Sequence, residues 1–165
     1  MKIKVQDFSL TLKEAVKFRN DVRKKGKTFV LTNGCFDLLH SGHVHSLREA
    51  SMLGDYLWVA INSDKSIRGL KGKHRPIISE LDRAYIVSNL ACVAGVTIFN
   101  TERLDKEILL LQPDVYVKAG DYNKTNIAKI ERDALDKVDA KLKFVSFLPE
   151  KSTSAIIDEI TLKGN

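Results

Sequence analysis

The sequence predicts an α/β fold, a doubly wound, five-stranded parallel sheet in a single domain with an extra N-terminal helix. Short β-favouring segments alternate with segments of helical periodicity along the chain. The segment Tyr56–Ile61 is nearly continuously apolar, as strands are when both faces of a parallel sheet are covered. No repeat or low-complexity linker interrupts the alternation, so we expect one domain over residues 1–165.

The first two elements are predicted from a capping pattern and a turn. Thr11 and Glu14 have the spacing of a capping box, which predicts a helix from there to about Lys25. Residues 28–32 favour a strand, and Asn33-Gly34 ends it as a strand ends when it enters a functional loop.

The next elements repeat the strand and helix order. A helix is predicted over residues 44–53, because apolar positions lie on one helical face until Gly54. After the strand at 56–61, the polar and basic stretch Lys65–Arg75 predicts a loop. Ser79 and Asp82 then have capping spacing and predict a helix to about residue 90.

The remaining elements complete the pattern. We predict strands at 96–99, 115–118 and 143–147 and helices at 104–111, 125–137 and from a cap at Ser152 to about 162. Because ligands bind at the carboxyl ends of such strands, near a switch in strand order, the loops at 33–43, 62–75, 118–122 and 148–154 are the expected site.

Composition excludes several classes of protein. The chain has 44% apolar and 29% charged residues, as ordinary globular domains do, and only two cysteines. No signal-peptide core and no apolar run of membrane-span length are present, so we expect no membrane partner and a cytoplasmic location. The net charge of +6 is dispersed and aromatic residues are few, which disfavours nucleic acid and suits a polyanionic small ligand.

Three of the four histidines fall within six positions, where the first strand hands over to a helix. His40 and His43 are three residues apart, so at a helix start their imidazoles face the same side. Gly42 between them lets the backbone come close, and the free N–H groups of a helix start attract anions. An imidazole of near-neutral pKa donates to a phosphate oxygen whose charge grows during transfer. A phosphate is therefore the predicted ligand.

The segments Gly34-Cys35-Phe36-Asp37 and Leu39-His40-Ser41-Gly42-His43 resemble the signature of the HxGH nucleotidyltransferases, a cytidylyltransferase-like superfamily with a Rossmann-like fold. Within it, several further segments are most similar to the adenylyltransferase of ADP-heptose synthesis: Thr32–Asp37, Asn62–Asp64, Leu70–Gly72 with Arg75-Pro76, Lys118–Tyr122 and Ser152–Ser154. The similarity covers about residues 27–160, the expected core. The bifunctional form of that enzyme carries a sugar kinase as well, and we expect the stand-alone form here.

The resemblance implies transfer of AMP from ATP, with Mg²⁺ as cofactor, to D-glycero-D-manno-heptose 1-phosphate, and a homodimer. It implies catalytic roles for His40, His43 and Lys71. The nucleotide would be bound by Thr32, Asn33, Gly34, Cys35, Phe36, Asp37, Gly42, Lys118, Gly120, Asp121, Tyr122, Ser152, Thr153 and Ser154. The substrate phosphate would be bound by Asn62, Asp64, Lys71, Arg75 and Arg83. Asp37 is a candidate to position His40 or to reach Mg²⁺ through water.

The sequence leaves one alternative open and disfavours three others. A cytidylyltransferase acting on CTP and glycerol 3-phosphate shares the histidine core. A non-catalytic nucleotide-binding module is disfavoured because both histidines and the glycine are present. A P-loop or dinucleotide-dependent enzyme lacks its glycine motif after any strand. A thiol nucleophile at Cys35 is also disfavoured, because no third group orients it toward His40.

Overall fold

The computed structural model describes residues 9–120, 126–146, 148 and 152–163, which form a five-stranded parallel sheet flanked by helices. The strands are β1 (Phe29–Gly34), β2 (Tyr56–Asn62), β3 (Gly95–Phe99), β4 (Val115–Ala119) and β5 (Lys141–Val145). The helices are α1 (Leu12–Lys24), α2 (Ser41–Ser51), α3 (Asp64–Lys71), α4 (Glu80–Ser88), α5 (Asp105–Leu111), α6 (Lys129–Lys137) and α7 (Thr153–Lys163).

The strand order is β3-β2-β1-β4-β5, and all four neighbouring pairs are parallel. The chain therefore moves outward from β1 to β3 and then returns to the other side of β1 with β4. The reversal between β1 and β4 is the switch point at which this class of sheet opens a crevice. The predicted doubly wound α/β fold is confirmed.

Two apolar layers hold the helices to the sheet. On one face, helices α1, α5 and α6 pack against side chains that include Trp58 and Tyr116. On the other face, α2 and α4 pack against alternate residues of the same strands, such as Val59 and Val117. Gly95 accommodates the Trp58 ring, because a Cβ at this position would stand 2.3 Å from it. The continuous apolar character of β2 follows from burial on both faces.

Local capping chemistry sets several helix starts as predicted. Thr11 accepts from the Glu14 backbone N–H while the Glu14 side chain accepts from the Thr11 N–H, so the capping box is present. Ser79 caps α4 through the Asp82 N–H, and the Ser152 hydroxyl accepts from the Ala155 N–H at the start of α7. These caps satisfy backbone donors that have no partner inside the helix.

One predicted loop is wrong in its first part, because Asp64–Lys71 forms helix α3. Ser63 caps this helix by accepting from the Ser66 N–H, and Ile67 is fully buried beneath it. Strand β5 begins two residues earlier than predicted, and its predicted end at Phe147 lies outside the described residues. None of the described helices has the length and apolar character needed to cross a bilayer.

Candidate active site

A cavity of about 470 Å³ opens at the carboxyl ends of β1 and β4, at the switch point of the sheet. Most of the residues predicted at these strand ends line it, namely Thr32, Asn33, Gly34, Cys35, Phe36, Asp37, His43, Asn62, Lys71, Lys118 and Thr153. The position agrees with the general rule for open α/β sheets.

The turn from β1 into α2 adopts an uncommon backbone conformation. Phe36 has a φ of 49°, in the left-handed region that side-chain-bearing residues rarely use. Its ring folds back over Gly34, where a Cβ would lie 2.9 Å from the ring. The same ring packs against the His43 imidazole, with centroids 5.4 Å apart. Gly34 and Phe36 thus shape the wall on which His43 rests.

The two histidines of the motif lie together at the start of α2. His40 is the N-cap residue, and its Nδ1 accepts a hydrogen bond of 3.1 Å from the Gly42 N–H. This contact places the proton of a neutral His40 ring on Nε2, because Nδ1 is the acceptor. The His40 and His43 ring centroids are 3.9 Å apart. The two imidazoles therefore converge as predicted. The Gly42 N–H, one of the helix-start groups predicted to attract an anion, instead donates to His40.

His43 is held in its neutral form. Its pKa is lowered to about 4, mainly by burial and also by the neighbouring His40 and Lys71, while Asp37 opposes the change. Its Nδ1 is buried and has no hydrogen-bond partner among the described residues. A neutral imidazole beside a cavity can donate to an anion, and a bound anion would favour its protonation.

Asp37 is occupied by the segment that follows α3. Its carboxylate accepts from Arg75 Nε at 2.6 Å and from the backbone N–H groups of Ile77 and Ile78 at 2.8 and 3.0 Å. The pair is nearly buried, with 1% of the Asp37 side chain and 13% of the Arg75 side chain exposed. Asp37 and Arg75 therefore join two loops of the site, and the predicted metal and phosphate contacts of these two residues stay predictions.

Arg83, which the sequence predicts to bind substrate, has its guanidinium engaged by the protein itself. Its guanidinium is fully buried and donates to the backbone carbonyls of Ile78, Cys35 and Asn62. It also pairs with Asp64 at 2.8 Å. A guanidinium with these acceptors fixes the loops after β1 and β2 relative to α4. Asp64 is correspondingly engaged in holding Arg83.

A buried polar network crosses the switch point. Lys118 Nζ contacts Glu131 Oε2 of α6 at 3.1 Å and donates to Asn33 Oδ1 at 2.9 Å. The Tyr116 hydroxyl donates to the same oxygen of Asn33, and Glu131 Oε1 accepts from the Leu104 N–H. Burial lowers the pKa of Lys118, and Glu131 opposes this. Asn33 Oδ1 accepts from two donors, and this assigns the orientation of the side-chain amide. The amide nitrogen Nδ2 is then the group that can donate to a ligand.

The cavity wall also bears a thiol and a cation. Burial raises the pKa of the Cys35 thiol, although Lys71 and Arg83 act in the opposite direction. A thiol with a raised pKa is a poor nucleophile, which agrees with the prediction that Cys35 is not the nucleophile. Lys71 lines the same cavity from the last turn of α3 and has no ion pair with the described residues.

Two predicted residues of the wall also contact other parts of the fold. Thr32 donates to the Val117 carbonyl and Asn62 donates to Ser66, so these two also hold the strand ends together. The cavity wall does not include the backbone or side chains of His40, Gly42, Asp64, Arg75, Arg83, Gly120, Ser152 or Ser154. Asp121 and Tyr122 lie outside the described residues.

Five residues of the wall lie outside the predicted loops, namely Ser46, Leu47, Glu102, Arg103 and Glu131, whereas Leu70 and Ala119 lie within the predicted loops 62–75 and 118–122. Glu102 and Arg103 follow β3, a strand whose carboxyl end the sequence reasoning left out of the expected site. The rule on strand ends applies to this loop as well and would have found both. Glu131 has no local signal, because only the folded chain brings α6 against Lys118.

A doubly wound sheet with paired histidines at a helix start and lysines around its switch-point cavity defines a nucleotidyltransferase of Rossmann-like fold. The chain belongs to the cytidylyltransferase-like family, whose model matches residues 31–159.

Individual relatives agree with this family. The bifunctional protein HldE of Syntrophotalea carbinolica is 41% identical over 93% of this chain and 31% of its own length. The protein of the same name from Pelobacter propionicus is 42% identical over 96% of this chain and 31% of its own. The chain thus spans about a third of these relatives.

A solved structure is also similar. A lipopolysaccharide core biosynthesis protein from Thermoplasma volcanium has a TM-score of 0.63 and 28% identity. The match covers 76% of this chain and all of the other.

Proposed function

We propose that this chain transfers AMP from ATP to D-glycero-D-manno-heptose 1-phosphate, giving ADP-heptose and pyrophosphate. The observation that carries the proposal is the pair of imidazoles 3.9 Å apart at the start of α2, beside a cavity at the switch point. Paired donors at this place suit the growing charge of a phosphate under attack.

The reaction is a single displacement. A phosphate oxygen of the sugar phosphate forms a bond to the α-phosphorus of ATP in line with the bond that breaks, which joins that phosphorus to the oxygen bridging to the β-phosphate. The electron pair leaves with pyrophosphate. A phosphate monoester is already largely ionised near neutral pH, so no base has to remove a proton. Mg²⁺ enters with the triphosphate as part of the substrate.

The side chains supply alignment and charge. His40 offers its Nε2–H in the tautomer that its cap contact selects, and neutral His43 offers a second donor. Lys71 supplies a positive charge from α3. The carboxylates of Asp37 and Glu131 both accept from protein donors, so neither is assigned a role as general base.

The heptose substrate rests on likeness. The segments that resemble the adenylyltransferase of ADP-heptose synthesis extend over most of the chain, and relatives above 40% identity are bifunctional HldE proteins. The solved neighbour's description as a lipopolysaccharide core biosynthesis protein points to the same area of carbohydrate metabolism. We also propose a homodimer, which sedimentation equilibrium would test.

The deciding experiment measures pyrophosphate release with Mg²⁺ and either ATP or CTP, each combined with heptose 1-phosphate or glycerol 3-phosphate. Release only with ATP and heptose 1-phosphate supports the proposal. Release with CTP and glycerol 3-phosphate establishes the cytidylyltransferase alternative, and silence in all four mixtures refutes both.

The histidine role needs its own variant. H43A should lower the turnover rate by about 10²- to 10³-fold, as loss of one electrostatic donor does. H45A removes an imidazole from the same helix that contacts Ser146 instead of the cavity, and should retain activity. A well-folded H43A with wild-type turnover contradicts the mechanism.

A further inference from the structure

The loop after β3 places a carboxylate and a guanidinium in the cavity wall, and neither has a role in the mechanism above. Glu102 and Arg103 both line the cavity and are exposed. The described part of the chain contains no hydrogen bond or ion pair of either side chain. We propose that these two side chains form the subsite that recognises a sugar phosphate, Glu102 through the sugar hydroxyls and Arg103 through the phosphate.

The backbone of this loop is held on both sides of residues 102 and 103, so both side chains project from fixed points of the chain. The Phe99 carbonyl accepts from the Ser63 N–H, and the Thr101 carbonyl accepts from the Ser66 hydroxyl. At the other end Leu104 is fully buried, and its N–H donates to Glu131. Anchors on both sides of residues 102 and 103 are typical of a pre-organised binding loop.

The two side chains reach different sides of the cavity. Glu102 Oε1 lies against α3, 3.2 Å from where a Cβ on Gly69 would stand, and Gly69 is two residues before Lys71. Arg103 lies near enough to Lys118 to lower its pKa by charge repulsion. The loop therefore extends across the strand ends between the cation on α3 and the polar network at β4.

The charges around the cavity explain why Glu102 matters. Asp37 is neutralised by Arg75, and Glu131 by Lys118. Glu102 is thus the carboxylate of the described cavity wall that lacks a protein donor. A carboxylate without a protein donor repels phosphate groups but accepts hydrogen bonds from hydroxyls, and the sugar is the hydroxyl-rich part of the acceptor substrate.

Arg103 supplies the positive charge that a phosphate group requires. A guanidinium binds phosphate with two parallel hydrogen bonds, and this one has no protein carboxylate to satisfy within the described residues. A carboxylate for hydroxyls next to a guanidinium for phosphate fits a polyhydroxylated phosphate ester better than a short phospho-alcohol. This inference rests on the proposed function and makes it more specific.

Steady-state kinetics of the full chain test the subsite. E102Q and R103Q should each raise the KM for heptose 1-phosphate by about tenfold, the size expected for a hydrogen bond to a charged group, with a smaller change in kcat and in the KM for ATP. E102A should be at least as impaired as E102Q. D105N and K106Q are matched controls. They remove one negative and one positive charge from the first turn of α5, outside the cavity wall.

A binding measurement separates this proposal from the proposed function. Calorimetry with a non-hydrolysable ATP analogue and mannose 1-phosphate should show tighter binding to wild type than to E102Q or R103Q, even if turnover with heptose 1-phosphate is absent. An active wild type whose E102Q and R103Q variants keep the acceptor KM overturns the subsite alone. The subsite also falls if the variants change only the KM for ATP, or if wild type binds no sugar phosphate in the calorimeter.

Discussion

The depressed pKa of His43 predicts a loss of stability in mild acid. In the folded chain the pKa of His43 is about 4, whereas an exposed histidine in the unfolded chain titrates near 6.5. Between these values the unfolded state binds more protons than the folded state, so the free energy of unfolding falls as the pH falls. The contribution is constant above about pH 7 and reaches its full loss near pH 4.

The magnitude follows from the two pKa values. Moving a pKa from 6.5 to about 4 corresponds to roughly 3 kcal/mol, of which roughly 2 kcal/mol is already lost at pH 5. Other groups titrate in the same range, so the effect of His43 has to be isolated by substitution. H43Q removes the ionisation while keeping a polar side chain.

Urea unfolding at pH 7.5, 6 and 5 measures this contribution. The wild type should lose roughly 2 kcal/mol more than H43Q between pH 7.5 and pH 5. H45Q is the matched control on the same helix and should lose as much as the wild type. Equal pH dependence in wild type and H43Q would refute the argument that burial and neighbouring cations keep His43 neutral.

Two further predictions concern residues that the mechanism does not use chemically. D37N should lower the free energy of unfolding by about 3 kcal/mol, because Arg75 then keeps a nearly buried charge without its partner. The control D21N alters an exposed pair and should leave the urea midpoint near that of wild type. Equal midpoints in the two variants would count against a stabilising role of the Asp37–Arg75 pair. C35A should keep turnover within about threefold, since burial raises the pKa of its thiol; a loss of 10²-fold or more in pyrophosphate release would restore the thiol-nucleophile hypothesis.

Local patterns in the sequence were sufficient for most of the fold. The capping boxes, the apolar run of β2 and the alternation of strands and helices are all set by neighbours within a few residues. Helix α3 was missed because its eight residues bury few side chains, Ile67 above all, while three of the eight are lysine or arginine. A short helix with a narrow apolar side resembles a basic loop when only composition is considered.

Functional roles were harder to predict, because contacts between distant residues decide them. Arg83 has the residue type and the position of a phosphate ligand, yet its guanidinium is enclosed by carbonyls of two loops. Asp37 resembles a metal ligand in sequence, and its partner Arg75 is 38 residues away. A single sequence contains no signal that distinguishes a charge kept for substrate from one spent on another part of the fold.

The difference between paired and unpaired charges explains the proposed preference for a polyanionic substrate. It does so better than the net charge of +6 does. Buried pairs such as Lys118 with Glu131 are locally neutral, so they add rigidity with little field. The field comes from charges without a protein partner, which in the described wall are the cations Lys71 and Arg103, opposed in part by the carboxylate of Glu102. In the proposed reaction two phosphate groups come together, and the two cations supply one counter-charge for each while the histidines donate to the phosphate under attack.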